Sequence, residues 1–135
     1  MLAPDDSIPP FYLARLRLIQ AARAEDADSR RYALATAVQY YEEAMARDPW
    51  NIDVQLAYAE LLTQLGGSLA ISEDVTRTDV ALLEGARRRN PDDSRLLFAL
   101  ADRYAALGRS EDEQALLDGW LAYCGVHWRR EPQQL

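Results

Sequence analysis

Cys124 and His127 are the residues best suited to nucleophilic or metal chemistry, and each is the single example of its type in the chain. One Cys and one His exclude nearly every Cys/His metal site and any intramolecular disulfide. No catalytic His–acid arrangement accompanies Cys124, so it is expected as a small buried apolar residue. His127 has no second ligand cluster nearby and is expected to pack or to be solvated. Carboxylates are plentiful, but the pairs Glu42-Glu43 and Asp92-Asp93 are sequence neighbours, which do not converge on a helix or turn. Acid–base catalysis needs a pocket that displaces pKa values, and these pairs do not announce one. Asp26-Ala27-Asp28-Ser29 lacks the glycine and the bidentate Glu of a calcium loop. All 15 basic residues are Arg, which removes the P-loop lysine, the kinase lysine and any Schiff-base lysine. No Gly-rich phosphate loop, His-Glu-x-x-His or Gly-x-Ser-x-Gly is present. The expectation is a non-enzymatic chain with no catalytic residues, no metal and no cofactor.

The charge balance bears on partners. Against 15 Arg stand 22 Asp and Glu, a net charge of −7 and a pI near 4.7. Such an acidic chain is a poor match for a phosphate backbone, so no nucleic acid is expected. Arg87-Arg88-Arg89 reads as a helix C-terminus, where cations complement the macrodipole just before Asn90-Pro91. Asp5 and Asp6 stand where a signal peptide would be basic, and Arg15 and Arg17 interrupt the only early apolar stretch. No window approaches the roughly 18 uninterrupted apolar residues of a membrane span, so no membrane insertion is expected. The chain as given reads as cytoplasmic, unless it is a fragment of a longer anchored or exported protein.

The elements that must position these residues are helices. The 22 Ala and 20 Leu outnumber 13 β-branched residues (five Val, four Ile, four Thr), and straight-chain residues lose less freedom in a helix. Six helices are predicted. The first spans about 10–24, with Phe11, Leu13, Leu16 and Ile19 at mixed 3/4 spacing. The second spans about 30–47, capped by Asp28 or Ser29, with Leu34, Ala37, Val38, Tyr41, Ala44 and Met45 along one stripe, and Asp48-Pro49 ends it. The third runs from about 51 to 65 and ends at Gly66-Gly67. After an irregular stretch over 68–71, Ser72 or Thr76 caps a fourth helix reaching Arg89. The fifth spans about 94–107, ending at Gly108. Ser110-Glu111-Asp112-Glu113 has capping-box spacing and opens a sixth helix to about Cys124.

An internal repeat organises these helices. Shifting the sequence by 42 residues superposes Pro49 on Pro91, Leu56 on Phe98, Tyr58 on Leu100 and Ala59 on Ala101. The same shift places Leu62 on Tyr104, Leu65 on Leu107 and Gly66 on Gly108. Each unit is a helix, a glycine turn, a second helix and a proline stop. The spacing resembles the tetratricopeptide repeat family: Leu97, Leu100-Ala101, Tyr104 and Gly108 in one unit, and Gln55, Tyr58-Ala59, Leu62 and Gly66 in the unit before. Second-helix positions fall at Ala37, Tyr41, Ala44 and Pro49, then at Leu83, Ala86 and Pro91. The period departs from the family's 34 residues by about eight residues inserted after Gly66. A Gly-Gly insertion of this kind is similar to the repeat domain of bacterial c-type cytochrome maturation proteins.

The resemblance implies an all-α, TPR-like helical-hairpin solenoid of about six helices in three hairpins, forming a single domain. Its parts are an N-terminal arm over 1–9, a degenerate repeat over 10–49, a repeat with an insertion over 50–91, a third repeat over 92–125 and a tail over 126–135. It also implies a concave groove for a partner protein, at positions that fall here on Asp53, Leu56, Glu60 and Thr63, then Arg95, Phe98, Asp102 and Ala105. The family's carboxylate-clamp branch uses Lys, Asn and Arg, and here Leu56, Glu60, Phe98 and Asp102 stand at those sites. Carboxylates beside Leu and Phe suit an apolar-anchored, basic peptide or helix. A second interface is expected at Trp120, Leu121, Tyr123 and Trp128, where the last helix has no following repeat to cover it. That face admits a homodimer through the C-terminal helix. The expected role is an adaptor, assembly factor or chaperone. The alternatives are a constitutive structural subunit of a larger complex and a c-type cytochrome maturation factor domain.

Overall fold

The computed structural model describes residues 8–125. Among these residues the order is α1 (Pro10–Arg23), α2 (Ala27–Arg47), α3 (Ile52–Gln64), β1 (Ser68–Ala70), β2 (Thr76–Thr78), α4 (Asp79–Arg89), α5 (Ser94–Ala106) and α6 (Ser110–Cys124). Consecutive helices pair as antiparallel hairpins, α1 with α2, α3 with α4 and α5 with α6. Contacts of α2 with α3 and of α4 with α5 stack the hairpins. The architecture is all-α, as the repeat predicts. None of the described helices is long and apolar enough to cross a membrane.

The core follows the stripe of each helix. Ala37, Val38, Tyr41 and Ala44 of α2 are buried, and Val38, Tyr41 and Ala44 share a core cluster with Val54, Tyr58, Ala59 and Leu62 of α3. Tyr41 and Tyr58 stack with ring centroids 5.2 Å apart and planes 10° from parallel, and Phe11 of α1 leans on Tyr41 at 6.2 Å. Further along, Leu83 and Ala86 of α4 pack with Leu96, Leu97, Leu100 and Tyr104 of α5. Small residues at Ala44, Ala59, Ala86 and Ala101 let the helix axes approach. On α1 the 3/4 pattern misleads. Pro10, Ala14 and Ala21 are the residues that bury, whereas Leu16 and Ile19 are exposed.

The insertion is an antiparallel hairpin rather than irregular chain, with Ser68 opposite Thr78, Leu69 opposite Arg77 and Ala70 opposite Thr76. Gly66 and Gly67 turn the chain into it with φ of 105° and 96°, a region side chains rarely adopt. Gly67 N–H closes the end of α3 by donating to Leu62 O at 2.7 Å, and its carbonyl accepts Asp79 N–H at 3.0 Å. Pairing with β1 keeps residues 76–78 extended, so α4 starts later than Ser72 or Thr76 would set it. Thr78 is the cap, its Oγ1 accepting Ala81 N–H at 3.1 Å. Thr78→Ala is expected to cost about 1 kcal/mol in urea unfolding, and Thr76→Ala only a few tenths.

Two other predicted starts move. Asp26, not Asp28 or Ser29, caps α2 by accepting Ser29 N–H at 3.0 Å, and the helix begins three residues early. Arg109, not Ser110, occupies the cap position of α6, and no side chain caps that end. The cause is the turn before it. Arg109 N–H bonds Tyr104 O at 2.8 Å, and Glu113 N–H then falls on Arg109 O at 3.0 Å. The capping box at Ser110 therefore does not form.

Candidate functional site

Alternate helices put α1, α3 and α5 on one side, and a groove of about 880 Å³ opens between them. Phe11, Tyr12, Arg15 and Ile19 form the α1 wall. Asp53, Leu56, Glu60 and Thr63 lie on the α3 wall, while Ala99 and Arg103 close the α5 end. Tyr41 of α2 reaches the floor, itself buried. Burial raises the Tyr41 hydroxyl pKa, with Arg15 lowering it and Glu60 raising it from either side. The phenol thus stays neutral and lies within the field of one basic and one acidic side chain.

The four α3 positions named from the repeat come together on this wall. On α5 the outcome differs. Phe98, 59% exposed, and the exposed Asp102 and Ala105 do not line the groove. Successive helical residues are turned by about 100°, so Ala99 and Arg103 face the cavity one position beyond them. Arg95 bridges the units. Its guanidinium pairs with Asp53 at 2.9 Å and Asp93 at 3.4 Å, and Arg95 and Asp53 are 42 residues apart, one repeat. The carboxylate of Asp53 is thereby partly neutralised, and with Arg15 and Arg103 present the groove carries both signs of charge.

One end of the groove is built by a residue that periodicity does not mark. Asp79, the first residue of α4, is 2% exposed. Its Oδ2 lies 2.7 Å from Thr63 Oγ1 and 2.7 Å from Arg103 Nε, an ion contact in which the Nε–H is not aligned on the oxygen. Val80 N–H donates to its Oδ1 at 2.7 Å. A buried carboxylate at a helix N-terminus is favoured by the macrodipole and by a paired cation. Asp79 so ties α3, α4 and α5 at one point and holds Arg103, which lines the groove. The signal available in the sequence was an acid directly after Thr78 at a helix start.

A second polar cluster lies outside the groove. Glu42 of α2 accepts Tyr58 O–H at 2.6 Å and a bidentate pair from Arg77 of β2, Nε at 2.8 Å and Nη2 at 2.7 Å. Burial pushes the Glu42 pKa up, but the donors Arg77 and Tyr58 and the Arg77 charge outweigh it, and the net shift is downward. One repeat later Glu84 accepts Tyr104 O–H. Burial and that carboxylate push the Tyr104 phenol up to about 12.

At the C-terminal end, Trp120 stacks on Tyr123 with centroids 6.1 Å apart. Leu121 and Trp120 are half-buried and Tyr123 is 58% exposed. Trp128 and His127 lie outside the described residues. Cys124 is exposed, contrary to its expected burial; it sits in the last turn of α6, against which no other described helix packs at that end. Among the described residues no three His, Cys, Asp or Glu side chains are grouped to hold a metal ion.

A tetratricopeptide repeat model matches residues 30–66, the stretch that holds most of α2, all of α3 and the first glycine of the turn after it. No curated protein and no solved structure matches the chain. The similarity is therefore to one helix–turn–helix of that family, formed here by the second helix of the first hairpin and the first helix of the next, with α1 before it and α4 to α6 after it.

Proposed function

We propose that the chain is a non-enzymatic protein–protein interaction module that holds a helix or peptide of a partner in the groove of α1, α3 and α5. The family with which residues 30–66 are similar is one of interaction modules, and the groove supplies what such a role needs. Its walls expose Tyr12, Ile19 and Leu56 as apolar anchors, a small number of large side chains of the kind that dominate binding energy. Glu60 on one wall and Arg15 on the other supply polarity, so the preferred ligand is amphipathic, with a basic residue toward Glu60. Within this reading the chain acts as an adaptor, assembly factor or chaperone, and the Gly66-Gly67 likeness to the cytochrome-maturation repeat domain favours an assembly role.

The single observation that carries the proposal is the convergence of three alternate helices on one open, apolar-anchored groove. A photo-crosslinking residue at Leu56 should trap one partner, and the same residue at exposed Glu43 should not. With that partner in hand, Glu60→Arg is expected to weaken binding about tenfold, roughly 1.4 kcal/mol. Asp102→Arg, outside the groove, should change it little. Equal affinity for both variants would move the site elsewhere.

A second reading rests on α6. Leu116 is its one buried residue, and Trp120 and Tyr123 stack on a face that no other described hairpin covers. A homodimer or a permanent place in a larger complex would cover it. Tyr123→Glu is expected to abolish concentration-dependent association in sedimentation if that face is the contact.

A further inference from the structure

The hairpin leaves one edge of β1 without a neighbour, and that edge borders a cleft. Among the described residues β1 and β2 form a two-stranded sheet. Asp79 N–H donates to Gly67 O, and Ile71 N–H to Val75 O at 2.8 Å. Opposed residues in an antiparallel pair alternate between exchanging hydrogen bonds and not. The bonded positions on β1 are therefore 67, 69 and 71, and the backbone groups of Ser68 and Ala70 point away from β2. Both residues are exposed, and Leu69 between them is half-buried.

Next to β1 is an open cleft of about 500 Å³ between it and α2, walled by Leu34, Val38, Leu69 and Ile71. The Glu42–Arg77 ion pair joins helix and hairpin and sets the width between them. Beyond Ile71 the hairpin tip exposes two carboxylates, Glu73 and Asp74. Free main-chain donors and acceptors beside apolar pockets select an extended strand, whose alternate side chains enter the cleft. A helix satisfies its own backbone and cannot use them.

We propose that this cleft is a second docking site, distinct from the groove, where an extended segment of a partner adds to β1 as a third strand. The segment carries apolar residues at alternate positions and a Lys or Arg that meets Glu73 and Asp74. Charge decides against a second copy as the occupant, because the chain is acidic with net charge −7 and the tip is acidic too.

The test uses the full chain, isotope-labelled, titrated with an acetylated and amidated heptapeptide Arg-Val-Thr-Val-Thr-Val-Arg and followed by amide NMR. Shifts and slowed exchange are expected at Ser68 and Ala70, with shifts along α2 from Leu34 to Val38 and none at Leu56 or Glu60. N-methylation of alternate peptide residues should abolish binding in one register and spare it in the other. Ala70→Pro removes an outward N–H, and Ala35→Glu places a charge on the cleft wall from an exposed helix position; each should weaken binding at least tenfold. Glu73→Arg with Asp74→Arg should weaken it as well. No binding at millimolar peptide, shifts centred on the groove, or indifference to N-methylation in both registers would overturn the proposal. So would self-association through β1 in sedimentation that the peptide does not compete away.

Discussion

Arg103→Ala is expected to lower stability by about 3–5 kcal/mol, the cost of leaving a buried carboxylate without its cation. That is a large share of the 5–15 kcal/mol typical of a domain. The Tm should fall by roughly 10–15 °C. Asp79 is the reason. It is 2% exposed, it lies 2.7 Å from Arg103 Nε, and its other contacts are a hydroxyl and a backbone N–H. The companion variant Arg103→Ala with Asp79→Asn should recover much of the loss, because the amide is neutral and can still meet Thr63. A similar loss in both variants in urea unfolding would show that Arg103 acts by packing alone. Asp102→Ala, one residue away and exposed, is the control and should be within about 0.5 kcal/mol of the parent.

Glu42→Ala is expected to cost about 2–3 kcal/mol, since it strands the Tyr58 hydroxyl and the Arg77 guanidinium at once. The same carboxylate makes stability depend on acid. Its folded pKa lies below the ordinary value of 4.5, so the unfolded chain takes up the proton first. The stabilisation is present above pH 4.5 and is lost as pH falls through the lowered folded value. Glu42→Gln should flatten that part of the stability curve while leaving the slope near neutrality unchanged. An unaltered acid limb in urea titrations at successive pH values would sink this assignment.

The helical order of the chain was legible because proline, glycine and apolar spacing agree. Pro49 and Pro91, Gly66 and Gly108, and Ala59 and Ala101 occupy equivalent places in the structure. The 42-residue shift held more than these. It also superposes Val38 on Val80, Glu42 on Glu84 and Ala44 on Ala86, and both carboxylates accept a tyrosine from the next helix. Those tyrosines do not share the register, since Tyr58 follows its Glu by 16 residues and Tyr104 by 20. A pair of unequal offsets leaves no period to read.

The hairpin escaped for a different reason. Three-residue strands are too short for alternation to show, and Ser72 and Thr76 offer caps as ordinary as Thr78. Only pairing across the turn selects Thr78. Asp79 escaped because an acid in the first turn of a helix is ordinary on sequence grounds; its burial depends on α3 and α5, which the local sequence does not contain. On the groove, the residues of the α3 wall came from the family resemblance, and their helical spacing places them on one face. The α5 wall was displaced by one position, since the orientation of that helix is set by Leu96, Leu97, Leu100 and Tyr104 in the core.

The Glu42–Arg77 clasp has a mechanical meaning. Arrays of stacked hairpins flex like springs, by small rotations of one unit against the next. Glu42 belongs to the first hairpin, and Tyr58 and Arg77 belong to the second with its insertion, so the clasp crosses the joint between them as a strut. The next joint lacks an inserted strand but has struts of its own, the buried Arg103–Asp79 pair and the Tyr104 hydroxyl on Glu84, beside the exposed and weak Arg95–Asp53 contact. Both joints are therefore braced, each by a carboxylate of one hairpin held by side chains of the next. The α1, α3 and α5 walls of the groove would move as one stiff body, a preformed seat rather than a closing jaw.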